Sequence, residues 1–273
     1  MLKIGINTNN QSGKDDIEIL QNIKAAGFKN IMMSFKSKNI EDTIIKAKEL
    51  GLNIEYFHLN NNAANDLWVE GESNKRYVKQ VVSQIELCGK YNISIAVMHA
   101  TVGSPTDNAY KPNEHALNCM KEILKVAKKH NVKIALENID GYSTKHLFYL
   151  LDNIKDSNLG FCYDVGHHHL YNPNTNLVKK YGDRLFAVHL HDNLMDWYPG
   201  YDYTRDLHML PFDGKINFEK VCKNLKQQNY NGILMLEVHK ITCGEPQKYE
   251  AIDNINYLKE AYSRAFKLSQ MLE

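Results

Sequence analysis

The stretch KIALEN, residues 133–138, is a short apolar run that closes on a carboxylate, Glu137. Three further runs also end on residue types that bind metals: CYDVGH at 162–167 with Asp164 and His167, VHLHD at 188–192 with His189, and LMLEVH at 234–239 with Glu237. A carboxylate at the end of an apolar strand loses its hydration, which costs free energy unless another group compensates its charge. A divalent cation shared by several carboxylates is the usual compensation. Four strand ends of this kind in succession predict a metal site inside a barrel.

Short apolar runs alternate with longer amphipathic segments along the whole chain, which predicts repeated βα units around a parallel sheet. Eight strands are predicted, at residues 3–8, 30–34, 53–59, 94–100, 133–138, 159–163, 185–191 and 232–238. A helix is predicted at 73–90, because Tyr77, Val81 and Ile85 recur at helical spacing among polar residues. No linker-like stretch interrupts the series, so residues 1–273 are predicted to form one α/β domain, a single (β/α)8 TIM barrel.

The composition is that of a soluble globular protein, with 43% hydrophobic and 24% charged residues. A formal net charge of +1 gives no global reason to expect a polyanionic partner, so nucleic acid is not favoured. The five cysteines never form a C-x-x-C pair, which indicates reduced thiols and a cytoplasmic location. The N-terminus lacks the features of a signal peptide and no segment approaches transmembrane length, so no membrane association is expected.

The candidate ligands are Glu137, Asp164, Glu237 and one histidine of VHLHD. Such an oxygen-rich set suits Mn²⁺, Mg²⁺ or Co²⁺ and is acceptable to Zn²⁺. The carboxyl ends of barrel strands converge at one mouth, so residues distant in sequence can surround one ion. His189 and His191 are two apart on a strand and point to the same face, so either could be the histidine ligand.

Further histidines are expected near the same mouth. His58 and His99 end predicted strands and would face it. His167 follows Asp164 by three positions, where a tight turn assisted by Gly166 could return its ring to the pocket.

The ordered set LEN, DVGH, VHLHD, DLHMLPFDG at 206–214 and LEVH resembles the xylose isomerase-like barrels, which include sugar isomerases, ketose 3-epimerases and endonuclease IV. The resemblance covers nearly the whole chain. It implies that the common metal is held by Glu137, Asp164, His189 and Glu237. It prefers His189 because the family phrase is a histidine followed three residues later by aspartate.

The resemblance implies one divalent ion and an isomerase or epimerase of a small sugar, sugar phosphate or related hydroxy-carbonyl compound. Glu137 and Glu237 would be the catalytic base and acid beside the metal-bound carbonyl. A dehydratase or lyase on the same scaffold and a non-catalytic sugar-binding barrel are the alternatives. The sequence departs from ketose 3-epimerases, because ENIDGYS lacks an expected glutamate and HLHDNLMDW lacks an expected arginine.

A larger ligand set raises another alternative, an endonuclease IV-like phosphodiesterase with several zinc ions that acts on abasic DNA. The residues for substrate binding or a second metal are His58, His99, His167, His191, Asp206 and His208. The loops lack the clusters of arginine and lysine that a DNA enzyme needs for phosphate contacts.

Long loops after the strands carry candidate substrate contacts. Aromatic side chains that could stack on a sugar ring are Trp68, Trp197, Tyr198, Tyr201 and Tyr203. Arg205 and Lys215 could receive a phosphate. Barrels of this kind often pair through the loop face, so a homo-oligomer is a further expectation.

Overall fold

Eight parallel strands pair in sequence order, and the eighth pairs with the first, so the sheet closes into a barrel. The computed structural model describes residues 1–35, 37, 39–103, 110–194, 206–241 and 248–273. The strands are β1 Ile4–Asn7, β2 Asn30–Ser34, β3 Asn53–His58, β4 Ile95–His99, β5 Lys133–Glu137, β6 Leu159–Asp164, β7 Leu185–Leu190 and β8 Leu234–Leu236. This architecture confirms the predicted (β/α)8 barrel.

The strand that differs most from its prediction is β8, which ends at Leu236 instead of Val238. Here a side chain replaces strand pairing. Asn7 Oδ1 accepts a hydrogen bond from the Val238 amide at 3.0 Å, and Asn7 Nδ2 donates to the Val238 carbonyl at 3.2 Å. The asparagine therefore satisfies the backbone where β1 and β8 separate at the mouth.

The helices lie between the strands in sequence, except that α9 follows the last strand: α1 Asp16–Ala25, α2 Ile40–Glu49, α3 Glu72–Lys90, α4 Glu114–Lys129, α5 Gly141–Asn153, α6 Val165–Tyr171, α7 Leu177–Tyr181, α8 Phe218–Gln227 and α9 Asn254–Met271. The predicted helix at 73–90 is α3. It is followed by a left-handed residue at Asn92, with φ 58°. Asparagine tolerates this conformation because its short side chain bonds locally. Within the described ranges, no helix has the length and apolar character needed to cross a bilayer.

Apolar side chains of the strands divide between two cores, because successive residues on a strand point to opposite faces. The inner core of the barrel contains Met32, Tyr56, Val97, Ala135, Cys162, Ala187, Ile233 and Met235. Outward-facing residues of the same strands, such as Ile134 and Leu136 on β5, join the larger core beneath the helices. The inner core fills the barrel below the layer that carries the site.

Candidate metal centre

Six potential metal ligands occupy the layer directly above the inner core. Each lies two residues beyond an inward-facing core residue, at the end of the same strand or, for Glu237, directly after it, so the alternation of the strand directs it into the barrel as well. The pairs are Tyr56 and His58, Val97 and His99, Ala135 and Glu137, Cys162 and Asp164, Ala187 and His189, and Met235 and Glu237. Six neighbouring strands, β3 to β8, therefore contribute one donor each to the same layer.

The central group consists of Glu137, Asp164, His189 and Glu237. One donor atom from each lies within 4.8 Å of the other three. His189 Nδ1 lies 3.2 Å from Glu137 Oε1 and 2.9 Å from Glu237 Oε2. Asp164 Oδ2 is 3.8 Å from the same nitrogen. The structure thus brings together the four strand-end residues of the sequence pattern, with His189 and not His191 as the histidine of this group.

Three buried carboxylates in one group require positive charge nearby. Burial by itself would raise the pKa of Glu137, but the charge of His189 and hydrogen bonds from His167 and His58 hold this pKa well below its ordinary value. Burial would lower the pKa of His189, but the neighbouring Cys162 and the carboxylates of Glu237 and Glu137 raise it well above the ordinary value. The donor set of three carboxylates and one imidazole fits a divalent cation. A bound cation would supply the positive charge that the protonated histidine supplies without it.

A second group surrounds Asp206, on the loop after β7. Asp206 Oδ2 lies 2.8 Å from both His167 Nε2 and His208 Nε2. His191 Nδ1 lies 3.9 Å from Asp206 Oδ1 and is buried without a hydrogen-bond partner among the described residues. A buried ring nitrogen in this state costs free energy unless a ligand satisfies it. The four residues therefore offer donor atoms for a second ion.

His208 reaches the second group through a left-handed backbone conformation, with φ 48°. A residue other than glycine adopts this conformation at a cost of about 1–3 kcal/mol, and such strain is concentrated at functional sites. The ring is fixed because His208 Nδ1 donates to the Glu237 carbonyl at 2.7 Å. Burial lowers the pKa of His208, but Asp206 raises it, to about 9 overall.

The segment from Asp164 to His167 is the first turn of α6. Asp164 Oδ1 accepts a hydrogen bond from the His167 amide at 2.7 Å and so caps the helix. The His167 ring returns to the pocket as predicted, but through a helical turn in which Gly166 does not have a positive φ. Glycine is required for space instead, because a Cβ at this position would overlap the ring of His191.

A third group joins the central one through Glu137. His58 Nε2 and His99 Nε2 each lie 3.2 Å from Glu137 Oε2, whereas Glu137 Oε1 faces His189. Burial lowers the pKa of His99, which favours the neutral ring that binds a metal ion. Glu137 could therefore bridge two ions.

Asp192 and Asn193 fix the loop that carries Asp206 and His208. The Asp192 carboxylate accepts hydrogen bonds at 2.9 to 3.0 Å from four backbone amides, those of Asn193, Phe212, Gly214 and Ile216. Asn193 Oδ1 accepts from the Leu207 amide at 2.6 Å, and Asn193 Nδ2 donates to Asp206 Oδ1 at 3.2 Å. Burial raises the pKa of Asp192, and the four amides oppose that rise. Neither residue was predicted to hold this loop, although an Asp-Asn pair directly after a strand is a signal for loop anchoring.

The three groups lie beneath one cavity of about 510 Å³, which is within the usual size range of small-molecule sites. Glu137 and Glu237 line it, whereas Asp164 and His189 do not. Further lining residues are Asn9, Ser34, Phe35, Asn60, Asn61, Asn62 and His239. Among the described residues, no lysine or arginine lines the cavity. The asparagines and His239 are site residues that the sequence analysis missed, although the run at 60–62 directly after β3 was a visible signal.

Some predicted contacts lie elsewhere. Trp68 is 1% exposed, packs against the ring of His146, and donates from its ring nitrogen to the Ala100 carbonyl at 2.7 Å. It does not line the cavity, which corrects the expectation that it stacks on a substrate. Lys215 is exposed and also does not line the cavity. The other predicted contacts, Trp197, Tyr198, Tyr201, Tyr203 and Arg205, lie outside the described residues.

Residues 20–261 match the family model described as xylose isomerase-like TIM barrel. An uncharacterised protein of Sinorhizobium fredii, y4fM, is 26% identical over 208 residues, which is 71% of this chain and 61% of that protein. An inosose isomerase of Halalkalibacterium halodurans is 25% identical over 142 residues, 50% of each chain. The chain thus spans about half to three fifths of the length of these relatives.

The fold also matches solved structures. A D-tagatose 3-epimerase-like protein superposes with a TM-score of 0.75 over 100% of both chains, at 21% sequence identity. At this identity the likeness shows a shared fold.

Proposed function

This chain belongs to the xylose isomerase-like TIM barrel family, and from that premise we propose that it is a divalent-metal-dependent isomerase or epimerase of a small carbohydrate or related hydroxy-carbonyl compound. The names of the inosose isomerase and of the D-tagatose 3-epimerase-like protein support this class of reaction.

One observation carries the proposal. The central group offers four donor atoms within 4.8 Å of one another, and its two glutamates reach a cavity that accommodates a small molecule. The cavity wall is rich in asparagine and, in its described part, has no lysine or arginine. Amide groups both donate to and accept from hydroxyls, so this wall suits a polyhydroxylated substrate.

The metal would be held by Glu137, Asp164, His189 and Glu237. When bound, a divalent ion supplies Lewis acidity, which stabilises the negative charge that develops beside a carbonyl as the neighbouring proton leaves.

Glu137 and Glu237 are the proposed acid and base. A base must lie within hydrogen-bond reach of the proton that it removes, and of the central group only these two side chains line the cavity. They extend from β5 and β8, which are separated by two strands of the barrel, and so approach the centre from different sides. An epimerase needs this arrangement, because the proton leaves one face of a carbon and returns to the other.

The first test follows solvent exchange in Mg²⁺-loaded protein with a panel of ketoses and their phosphates. Proton abstraction in D₂O replaces the hydrogen next to the carbonyl with deuterium, and the loss of its ¹H NMR signal reports turnover without knowledge of the product. We expect Glu237→Gln to lower the exchange rate by at least about 10²-fold, the usual contribution of a general base. Glu86→Gln, on the exposed face of α3, is the control and should exchange at the rate of the unchanged protein.

The metal is tested by elemental analysis of protein purified without a chelator or an affinity tag. About one divalent ion per chain, reduced by Glu237→Gln, is the expected result. A protein that takes up no ion under any loading condition contradicts the proposal.

A second candidate function, a multi-zinc phosphodiesterase, is favoured by the two groups that flank the central one. Two ions that share a bridging carboxylate can stabilise the attacking and leaving oxygens of a phosphodiester. Three zinc ions per chain, together with binding of abasic duplex DNA that weakens steeply with salt, would support this function over the isomerase. The absence of lysine and arginine from the described cavity lining argues against it.

A further inference from the structure

We propose that the substrate extends beyond one sugar unit, and that its second, neutral polyhydroxylated unit occupies a separate cavity beside the metal centre. This inference rests on the proposed function and specifies its substrate class. The second cavity has a volume of about 300 Å³ and lies over β1, β2, α1 and α2. It belongs to none of the three ligand groups.

The two cavities adjoin. Asn9, Met33 and Ser34 line both of them, so these residues form a shared boundary at the ends of β1 and β2. A ligand that passes this boundary would have one end near Glu137 and Glu237 and the other beneath α1. Together the cavities are larger than one sugar unit needs, since the first alone is within the size range of small-molecule sites.

The wall of the second cavity carries the chemistry that recognises hydroxyl groups. Its polar residues are Thr8, Asn9, Gln11, Asp16, Ser34, Ser37 and Thr43. Hydroxyl and amide groups can each donate and accept, as the hydroxyls of a sugar do. Ile19 and Met33 add an apolar patch that can contact the C–H face of a ring.

Several of these groups are held in place before a ligand binds. Ser37 Oγ and Thr43 Oγ1 lie 3.0 Å apart, and Thr43 Oγ1 donates to the Asn39 carbonyl at 3.0 Å. Gln11 Oε1 accepts from the Ile241 amide at 2.9 Å, and its amide protons have no hydrogen-bond acceptor within the described residues. Such preorganisation lowers the entropic cost of binding.

The single negative charge on the described part of the wall disfavours an anionic ligand. Among the described lining residues Asp16 carries the only charge. A carboxylate accepts strong hydrogen bonds from sugar hydroxyls. The same carboxylate repels a phosphate, so the second unit is expected to be unphosphorylated.

The test is calorimetric titration of Mg²⁺-loaded protein with D-fructose and with two disaccharides that contain fructose, lactulose and isomaltulose. We expect at least one disaccharide to bind about tenfold more tightly than D-fructose, which corresponds to two additional neutral hydrogen bonds. The double variant Asp16→Ala/Ser37→Ala should lose this advantage while its affinity for D-fructose is unchanged. Asp42→Ala/Ser83→Ala, two exposed positions outside both cavities, is the matched control and should keep the advantage.

The possible failures can be told apart. If D-fructose binds and neither disaccharide binds more tightly, or if the advantage survives in Asp16→Ala/Ser37→Ala, the second cavity is not a subsite. If none of the three sugars binds the loaded protein, the extension is contradicted, and proton exchange with the panel of ketoses decides the proposed function separately.

Discussion

Gly166 makes room for a histidine that connects two of the ligand groups. His191 Nε2 lies 3.0 and 3.1 Å from the two oxygens of Asp164, and its ring stacks on that of His208 with centroids 4.0 Å apart. A methyl group at position 166 would overlap this ring. Overpacking of a buried site costs about 1–3 kcal/mol. We therefore expect Gly166→Ala to lower the free energy of unfolding by about 2 kcal/mol and to reduce bound metal, as measured by urea denaturation and elemental analysis.

Gly141→Ala is the control for this substitution. Gly141 is the first residue of α5, its φ is not positive, and a Cβ there would meet no atom within 4 Å. Alanine should be neutral or stabilise the fold by up to about 1 kcal/mol. Equal stability and metal content in the two variants would show that the packing of His191 does not depend on Gly166.

The direction of each donor could be predicted at the scale of a residue, but its height in the barrel could not. Strand periodicity turns both His189 and His191 inward. The sequence contains no measure of which one lies level with Glu137, because that depends on the stagger between neighbouring strands. In the structure His189 pairs with Asp164 in register, and His191 contacts Asp164 from above, next to the second group.

At the scale of an element, the loop after β7 depends on one buried carboxylate. Asp192 accepts hydrogen bonds from four backbone amides, and an asparagine would present two donors to two of them. Each buried amide left without an acceptor costs about 1–3 kcal/mol. We expect Asp192→Asn to lower the free energy of unfolding by about 2–6 kcal/mol. Amide hydrogen exchange should rise at 206–216, because the loop loses its anchor.

Asp42→Asn on α2 is the matched control, since Asp42 is exposed. Its unfolding free energy should change by less than about 0.5 kcal/mol. Unchanged exchange at 206–216 in Asp192→Asn would mean that the loop is held by other contacts, such as those of Asn193.

The regular elements could be predicted far better than their connections. Strands and helices have periods that a sequence displays, which is why the positions of β2 and α3 were predicted to within one residue. The anchor at Asp192 has no period, because its partners lie 20 to 24 residues away except for the adjacent Asn193. The same reason explains the end of β8, which is set by a side chain 231 residues away in sequence, Asn7.

At the scale of the whole molecule, closure of the barrel creates properties that no segment has alone. The cavity wall combines Asn9 from the β1 end, the asparagines at 60–62 from the β3 end and His239 from the β8 end. Each loop is unremarkable in sequence, and the wall exists only because parallel strands return every loop to the same rim. The ligand groups form for the same reason, but they could be predicted from the sequence because charged residues end apolar strands.

Metal binding should stabilise the whole barrel without being required for its fold. The inner and outer cores are apolar and complete below the ligand layer, so the strands do not depend on an ion. An ion that binds only the folded state adds about 2.7 kcal/mol at a free concentration of 100 times Kd. For a chain of this size, we expect EDTA to lower Tm by roughly 5–10 °C, with recovery on addition of Mn²⁺. Differential scanning calorimetry measures this shift, and circular dichroism at 25 °C should show the same helix content with and without EDTA.

Glu237→Gln should respond little to EDTA, because it has lost a ligand of the central group. A Tm that does not change with EDTA in the unchanged protein would mean that the buried carboxylates are balanced by histidine protons alone.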